Sequence, residues 1–199
     1  MLGVNIQAVA EKFNLRLHRC FPRSFDRFLL ELYSKGKPRL VGIEIGVYRA
    51  EHANFLLKSN KIRFMYLIDE YKLFNDAGVE PVDMDKSKSI AMKRLSKNKG
   101  KFKLIMKNSD DAHHQFDNNL VDFVYIDGGH SYEQVKKDIN NYFPLVKKGG
   151  IIGGHDFNNG DVNQTPTPNG VVKAVMEFVH NNGYCDRLFI NDYNWWFIK

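Results

Sequence analysis

Cysteine is scarce in this chain. Among its 199 residues only Cys20 and Cys185 carry a thiol. Two cysteines so far apart, without a spacing pattern, build neither a disulfide framework nor a zinc site, so a reducing cytoplasm is the expected setting. Long apolar runs are also lacking. No window reaches the roughly 18 uninterrupted apolar residues of a membrane span. The opening MLGVNIQAVAEKFNLRLHRC carries charge throughout and has no apolar core of a secretory leader. Neither a membrane nor a secretory route is therefore expected. Internal repeats are missing. So are acidic residues between Lys86 and Lys107, a stretch that holds nine Lys or Arg.

What is present fits one folded domain. The chain is long enough to bury a full core, and 43% of it is apolar. The net charge of +6 permits an acidic partner without requiring one. The basic stretch invites a nucleic-acid reading. However, aromatic residues for base stacking do not interleave it apart from Phe102, which reads as strand core. A solvated outer helix is the plainer account, and nucleic acid is disfavoured.

Apolar spacing predicts helix over much of residues 1–38, with Phe13, Leu17 and Phe21, then Phe25, Phe28, Leu29 and Leu32 on repeating faces. Pro22 suits the start of a second helix, and Gly36 and Pro38 its end. Strands and helices then alternate. Strands are expected at Leu40–Ile45, Phe64–Ile68, Phe102–Met106, Val121–Ile126 and Gly150–Gly153. Helices are expected after the first turn to Lys58, up to Ser96, at Tyr132–Phe143 and at Gly170–Asn181, with a short connection or helix at His113–Asn118. Asp186–Ile190 and Tyr193–Ile198 read as a hairpin turning at Asn191-Asp192. The alternation predicts an α/β fold. Its open, mostly parallel sheet has seven strands, an antiparallel C-terminal hairpin and an N-terminal helical cap over residues 1–38, with the main domain at 39–199.

Ligands of such sheets bind at the carboxyl ends of the strands. Strand one ends in Glu44-Ile45-Gly46. Gly46 stands alone there, with Tyr48 and Ala50 where a dinucleotide fingerprint would place more glycines. A pyrophosphate site is thereby disfavoured. One glycine with an acid two residues earlier suits a ligand carrying an ammonium and an adenosine; a plain tight turn is the alternative. Asp69 follows strand two, 25 residues after Glu44, near the roughly 20-residue spacing of an acid that binds ribose hydroxyls. Its alternative is a helix cap. Asn108, Ser109 and Asp110 follow strand three and could border an adenine edge; the alternative is a helix N-cap by Ser109 or Asp110.

The stretch YIDGGHSYEQVKKDINNYFPLVKKGGIIGGHDF, Tyr125 to Phe157, concentrates the remaining chemistry. Asp127 and Asp156 would end adjacent strands, about 4.8 Å apart. Two carboxylates in one crevice call for a cation between them. His130 has the side chain for proton transfer near neutral pH. Ser131 is the better helix cap, which releases His130 from that duty. The polar loop after Phe157, with Asn158, Asn159 and Asp161, could meet a polar acceptor or be simple connection.

The segments EIGVYRAEHA, LIDEY, FVYIDGGHSYEQVKKDI, LVKKGGIIGGHDF and GVVKAVMEF resemble the class I S-adenosylmethionine-dependent methyltransferases, whose fold is Rossmann-like. The resemblance is strongest to the small O-methyltransferases of the catechol type and of the macrolide-sugar group, and it runs from about Leu40 to Lys199. It implies that Glu44 and Gly46, with Val47 and Tyr48, hold the methionine end of S-adenosylmethionine. It implies that Asp69 and Glu70 hold the ribose, that Asn108 to Asp110 border the adenine, and that Asp127 lies beside the cofactor. It implies a divalent metal, Mg²⁺ or Mn²⁺, on Asp127, His155 and Asp156, with catalysis by those two aspartates and with His130 as base. His155 replaces an acid of many relatives, and imidazole suits Mn²⁺, Fe²⁺ or Zn²⁺ better than Mg²⁺, so either the metal differs, His155 points elsewhere, or the metal has been lost. The expected activity is O-methylation of a small hydroxylated molecule such as a sugar or glycoside. The alternatives are an RNA methyltransferase using the 86–107 face, or a binding protein on the same fold without catalysis. The Phe-rich N-terminal helices would also suit a homodimer.

Overall fold

A computed structural model describes residues 25–72, 83–158, 170–191 and 193–199. Seven strands form one sheet: β1 (Leu40–Ile45), β2 (Ile62–Ile68), β3 (Phe102–Ile105), β4 (Val121–Ile126), β5 (Val146–Gly154), β6 (Phe189–Asn191) and β7 (Asn194–Ile198). Their order across the sheet is β3-β2-β1-β4-β5-β7-β6. The first five are parallel, and β7 runs antiparallel to β5 and to β6. All six residues of β1 are buried, as a central strand covered on both faces requires.

The helices are α1 (Phe25–Arg27), α2 (Glu51–Lys58), α3 (Met84–Leu95), α4 (Ser109–Ala112), α5 (Tyr132–Tyr142) and α6 (Gly170–Asn181). Two cores result. One lies under α5 and α6 and includes Ile43, Val124, Ile139, Val175 and Phe197. The other lies under α1, α2 and α3 and includes Phe25, Leu56, Ala91, Phe123 and Trp196. Side-chain caps start three of the helices. Asp83 accepts from the Lys86 amide at 2.9 Å, Asn108 from Asp111 at 2.8 Å and Ser131 from Gln134 at 3.2 Å.

Several boundaries differ from expectation. After α1 the chain winds as a π-helix over Phe28–Tyr33, not an α-helix, and the Ser34 amide donates to Leu29 O at 3.0 Å. The wider turn lets both Phe28 and Leu29 face the core. Strand β5 begins four residues earlier than the Gly-rich pattern indicated, at Val146. Cys185–Arg187 is a 3₁₀ turn, so β6 starts only at Phe189 and continues through Asn191, which pairs with Asn194. The expected helix start at Pro22, the rest of residues 1–24, and the Asn159–Asp161 stretch lie outside the described residues.

The chain reverses its direction of travel across the sheet between β1 and β4, so the ligand crevice opens at their carboxyl ends. A staircase of amides defines that edge. Gly46 N donates to Ile68 O at 2.9 Å, Asp69 N to Ile105 O at 3.2 Å, Asp127 N to Ile45 O at 2.8 Å and His155 N to Ile126 O at 3.0 Å. Four candidate site residues are thus fixed by backbone to one rim.

Candidate active site

At the β1 end, Gly46 has φ +82°, and a Cβ there would stand 1.9 Å from Asp127 O. Only glycine fits. The close approach it permits is to the β4 backbone, which brings the two ends of the crevice together. Asp69 holds the turn from the other side. Its Oδ2 accepts from the amides of Val47 at 2.9 Å and Tyr48 at 2.8 Å, and its Oδ1 from Tyr71 at 2.8 Å. The ribose candidate is therefore also the brace of the first turn. Tyr71 adds a second tie by donating its hydroxyl to Tyr48 O at 2.9 Å. Beyond this turn α2 begins at Ala50 without a side-chain cap, which leaves helix-end amides near the crevice. Glu70 is partly exposed, 3.5 Å from Lys72 Nζ.

Glu44 is 1% exposed. Its Oε2 lies 3.4 Å from His52 Nδ1, close enough for an ion pair but without hydrogen-bond alignment. His52 Nε2 reaches Asp26 Oδ1 of α1 at 2.6 Å. Burial alone would lower the His52 pKa, but the charge of Glu44 and the bond to Asp26 overcome it and push it up to about 10. Sequence inspection did not single out His52 or Asp26. A histidine one residue before the buried Ala53 of α2 was the signal available.

Asn108, Ser109 and Asp110 sit beyond β3. Asn108 is the N-cap of α4, one residue before the caps expected at Ser109 or Asp110, which lie inside the helix. Gln134 Nε2 of α5 donates to Ser109 Oγ at 3.1 Å and to Asp110 Oδ1 at 3.2 Å, and Lys137 reaches Asp110 Oδ2 at 3.1 Å. These residues are tied to α5 as well as standing at the rim.

At the carboxyl ends of β4 and β5, Asp127, His130, His155 and Asp156 line one small cavity with Val135, Val171 and Trp195. The sequence expectation that both carboxylates share a crevice holds. Asp156 sits at φ +59° and bridges the two imidazoles. His130 Nε2 lies 3.0 Å from its Oδ2, and His155 Nδ1 lies 3.2 Å from its Oδ1. His155 Nδ1 is 3.9 Å from Asp127 Oδ1. The hydrogen bonds from His130 and His155 hold the Asp156 carboxyl well below its usual range. Burial pushes Asp127 up to about 6; His155 opposes the shift and the charge of Asp156 adds to it. The bond to Asp156 raises the His155 pKa. Two neighbouring carboxyls driven apart in this way are typical of a chemical site. Among the described residues, one ligand atom each from Asp127, His130 and Asp156 fall within 4.8 Å of one another. This donor set fits a divalent cation, with oxygen for a hard ion and nitrogen for a borderline one.

A protein family described as a methyltransferase domain matches residues 28–157. The chain belongs to this methyltransferase family. It is a class I S-adenosylmethionine-dependent methyltransferase, and the seven-stranded sheet is the Rossmann-like form of that fold. Among solved structures, the methyltransferase is similar to a putative caffeoyl-CoA O-methyltransferase from Staphylococcus aureus. The TM-score is 0.65 at 16% identity, over 98% of this chain and 90% of that one. An rRNA methylase from Streptococcus thermophilus gives 0.55 at 12% identity, over 89% and 96%. A precorrin 8w decarboxylase from Methanobacterium thermoautotrophicum gives 0.56 at 14% identity, over 89% and 90%. At such identities the likeness is one of fold, and a decarboxylase among the neighbours shows that the fold alone does not name the acceptor. No curated protein matches the sequence.

The basic stretch of the methyltransferase lies on α3, the turn after it and the edge strand β3. Arg94 and Lys101 are committed to structure there. Arg94 donates to Arg49 O at 2.6 Å and pairs with Glu51 at 3.0 Å, and Lys101 donates to Leu57 O at 2.6 Å. Among the described residues, no helix is long and apolar enough to cross a membrane.

Proposed function

We propose that this methyltransferase methylates the oxygen of a small hydroxylated molecule, with sugars and glycosides in the class, and that a divalent cation assists. One observation carries the proposal: two carboxylates and two imidazoles line one cavity at the ends of β4 and β5, with Gly46 of the first turn packed against Asp127. The putative caffeoyl-CoA O-methyltransferase of similar fold is consistent with oxygen as the target.

The roles follow from position. Glu44, Gly46, Val47 and Tyr48 shape the pocket for the methionine end of the donor. Asp69 and Glu70 face its ribose, Asn108 to Asp110 its adenine, and Asp127 lies between donor and acceptor. When bound, S-adenosylmethionine would supply an electrophilic methyl, its S–C bond breaking as the acceptor O–C bond forms and the acceptor's proton passing to an imidazole of the site. Asp127, Asp156 and one imidazole, His130 or His155, would hold the cation, whose charge lowers the pKa of an acceptor hydroxyl. The other imidazole takes the proton. Alignment by the rim is the main source of acceleration, worth up to about 7–11 kcal/mol in favourable cases. The cysteine usage favours a cytoplasmic setting, and the commitment of Arg94 and Lys101 to structure favours a small acceptor over RNA. Phe25, Phe28 and Leu29 are spent on the chain's own core, so a homodimer rests on the sequence pattern of Phe13, Leu17 and Phe21 alone.

The test is transfer of a labelled methyl from S-adenosylmethionine to a panel of catechols, phenols, sugars, amines and RNA, with product analysis and with or without a chelator. Label on a hydroxyl oxygen, lost with the chelator, is expected. Label confined to nitrogen, carbon or RNA would overturn the proposal.

A further inference from the structure

The two imidazoles at the cavity differ in what they meet. His130 approaches Asp156 Oδ2 at 3.0 Å, and its ligand atom converges with those of Asp127 and Asp156 inside 4.8 Å. Neighbouring ligands about 2.1 Å from an octahedral ion lie about 3 Å apart, and opposite ones about 4.2 Å. The His130–Asp156 separation of 3.0 Å matches two neighbouring ligands of such an ion, and the trio as a whole falls inside 4.8 Å. His155 Nδ1 also comes within 3.9 Å of Asp127 Oδ1, but the three residues whose ligand atoms converge are Asp127, His130 and Asp156. His155 follows β5 directly, its amide is spent on Ile126 O, and its Nδ1 takes the other oxygen of Asp156, at 3.2 Å.

A second observation points to a ligand in the same cavity. Trp195 lines it and is 0% exposed, yet among the described residues its indole Nε1 has no hydrogen-bond partner. Gly154 leaves room for that nitrogen: a Cβ there would stand 2.9 Å from it. A buried N–H without an acceptor forfeits the hydrogen bond it had with water. An oxygen brought into the cavity, either water on a metal ion or the acceptor's own, would satisfy it.

The geometry points to His130 as a metal ligand, completing a site of two carboxylates and one imidazole with Asp127 and Asp156, and to a preference for Mn²⁺ or another imidazole-accepting divalent ion over Mg²⁺. This rests on the metal-assisted reading above and reverses the sequence expectation, which set His155 on the metal and His130 apart as base. Mg²⁺ keeps near-ideal oxygen coordination and sheds water reluctantly, so a nitrogen donor disfavours it. His155 instead holds Asp156 by its outer oxygen, as partners of metal-binding carboxylates do.

The test uses the full chain and Mn²⁺ as the probe. Loss of the free Mn²⁺ resonance gives affinity, and pulsed electron paramagnetic resonance reads coupling to an imidazole ¹⁴N. The expected result is Mn²⁺ binding at least tenfold tighter than Mg²⁺, with nitrogen coupling that survives His155→Ala and disappears in both His130→Ala and His130→Gln. Affinity should fall at least tenfold in both His130 variants. Circular dichroism melts confirm that the variants fold. Coupling that persists without His130, Mn²⁺ bound with no nitrogen coupling, or no binding would each overturn the assignment. S-adenosylhomocysteine is titrated into the same samples. Its binding beside a failed Mn²⁺ result overturns the ligand and leaves the methyl donor site standing, and failure of both defeats both.

Discussion

His52 stands between a carboxylate of α1 and one of β1, with the Tyr125 ring of β4 at 4.2 Å between centroids. Its pKa is raised from 6.5 to about 10 by Glu44 and Asp26 against the opposing effect of burial. A raised pKa means that the folded state holds the proton more tightly. The resulting stability is complete below about pH 6.5 and is lost as pH climbs to about 10. Denaturant melts at pH 7 and pH 10 should show wild type losing more stability than His52→Ala over that interval. At pH 7 the variant should be weaker by on the order of 3 kcal/mol, because Glu44 is left buried without a counter-charge. Equal pH slopes would contradict the ion-pair account. Gly46→Ala should cost about 2–4 kcal/mol, through its left-handed φ and its collision with Asp127 O. A melt within 1 °C of wild type would count against that packing. At this scale the sequence was partly legible. Asp127 and Asp156 could be placed from strand ends alone. The double duty of Asp69 and the capping by Asn108 could not, because they depend on which amides a neighbouring turn presents.

The strands were the most legible elements, since a central parallel strand is an unbroken apolar run and β1 and β4 match their expected bounds. The N-terminal segment was less so. Its periodicity predicts a regular helix, but the buried pair Phe28 and Leu29 is met by a π turn whose bonds skip one residue further. Phe25 anchors this element: it is 0% exposed and packs on Phe123, Tyr125 and Trp196 with ring centroids 6.1, 4.8 and 6.3 Å away. Phe25→Ala should destabilise the protein by about 3–5 kcal/mol, read as a shift in denaturation midpoint. A cost below 1 kcal/mol would show that the N-terminal segment is not part of the core. At the other end of α3, Asp83→Ala should cost about 1 kcal/mol by loss of the bond to the Lys86 amide.

Across the whole molecule, alternation of strands and helices indicated the sheet, and its order then dictates where a ligand lies. Strands β1 and β4 pair at the switch point, where the chain reverses its travel across the sheet, and the amide staircase places Gly46, Asp69, Asp127 and His155 along one rim. The cavity beside Asp127 was not legible, because its lining comes from side chains far apart in sequence, such as Val171 and Trp195. The central claim is that this rim binds the methyl donor. It is tested most directly by isothermal titration with S-adenosylhomocysteine beside an Asp69→Ala control, whose loss removes the acceptor of the Val47, Tyr48 and Tyr71 amides. Micromolar binding by wild type and none by a folded Asp69→Ala is the predicted result. No binding by wild type, or equal binding by the two, would contradict it.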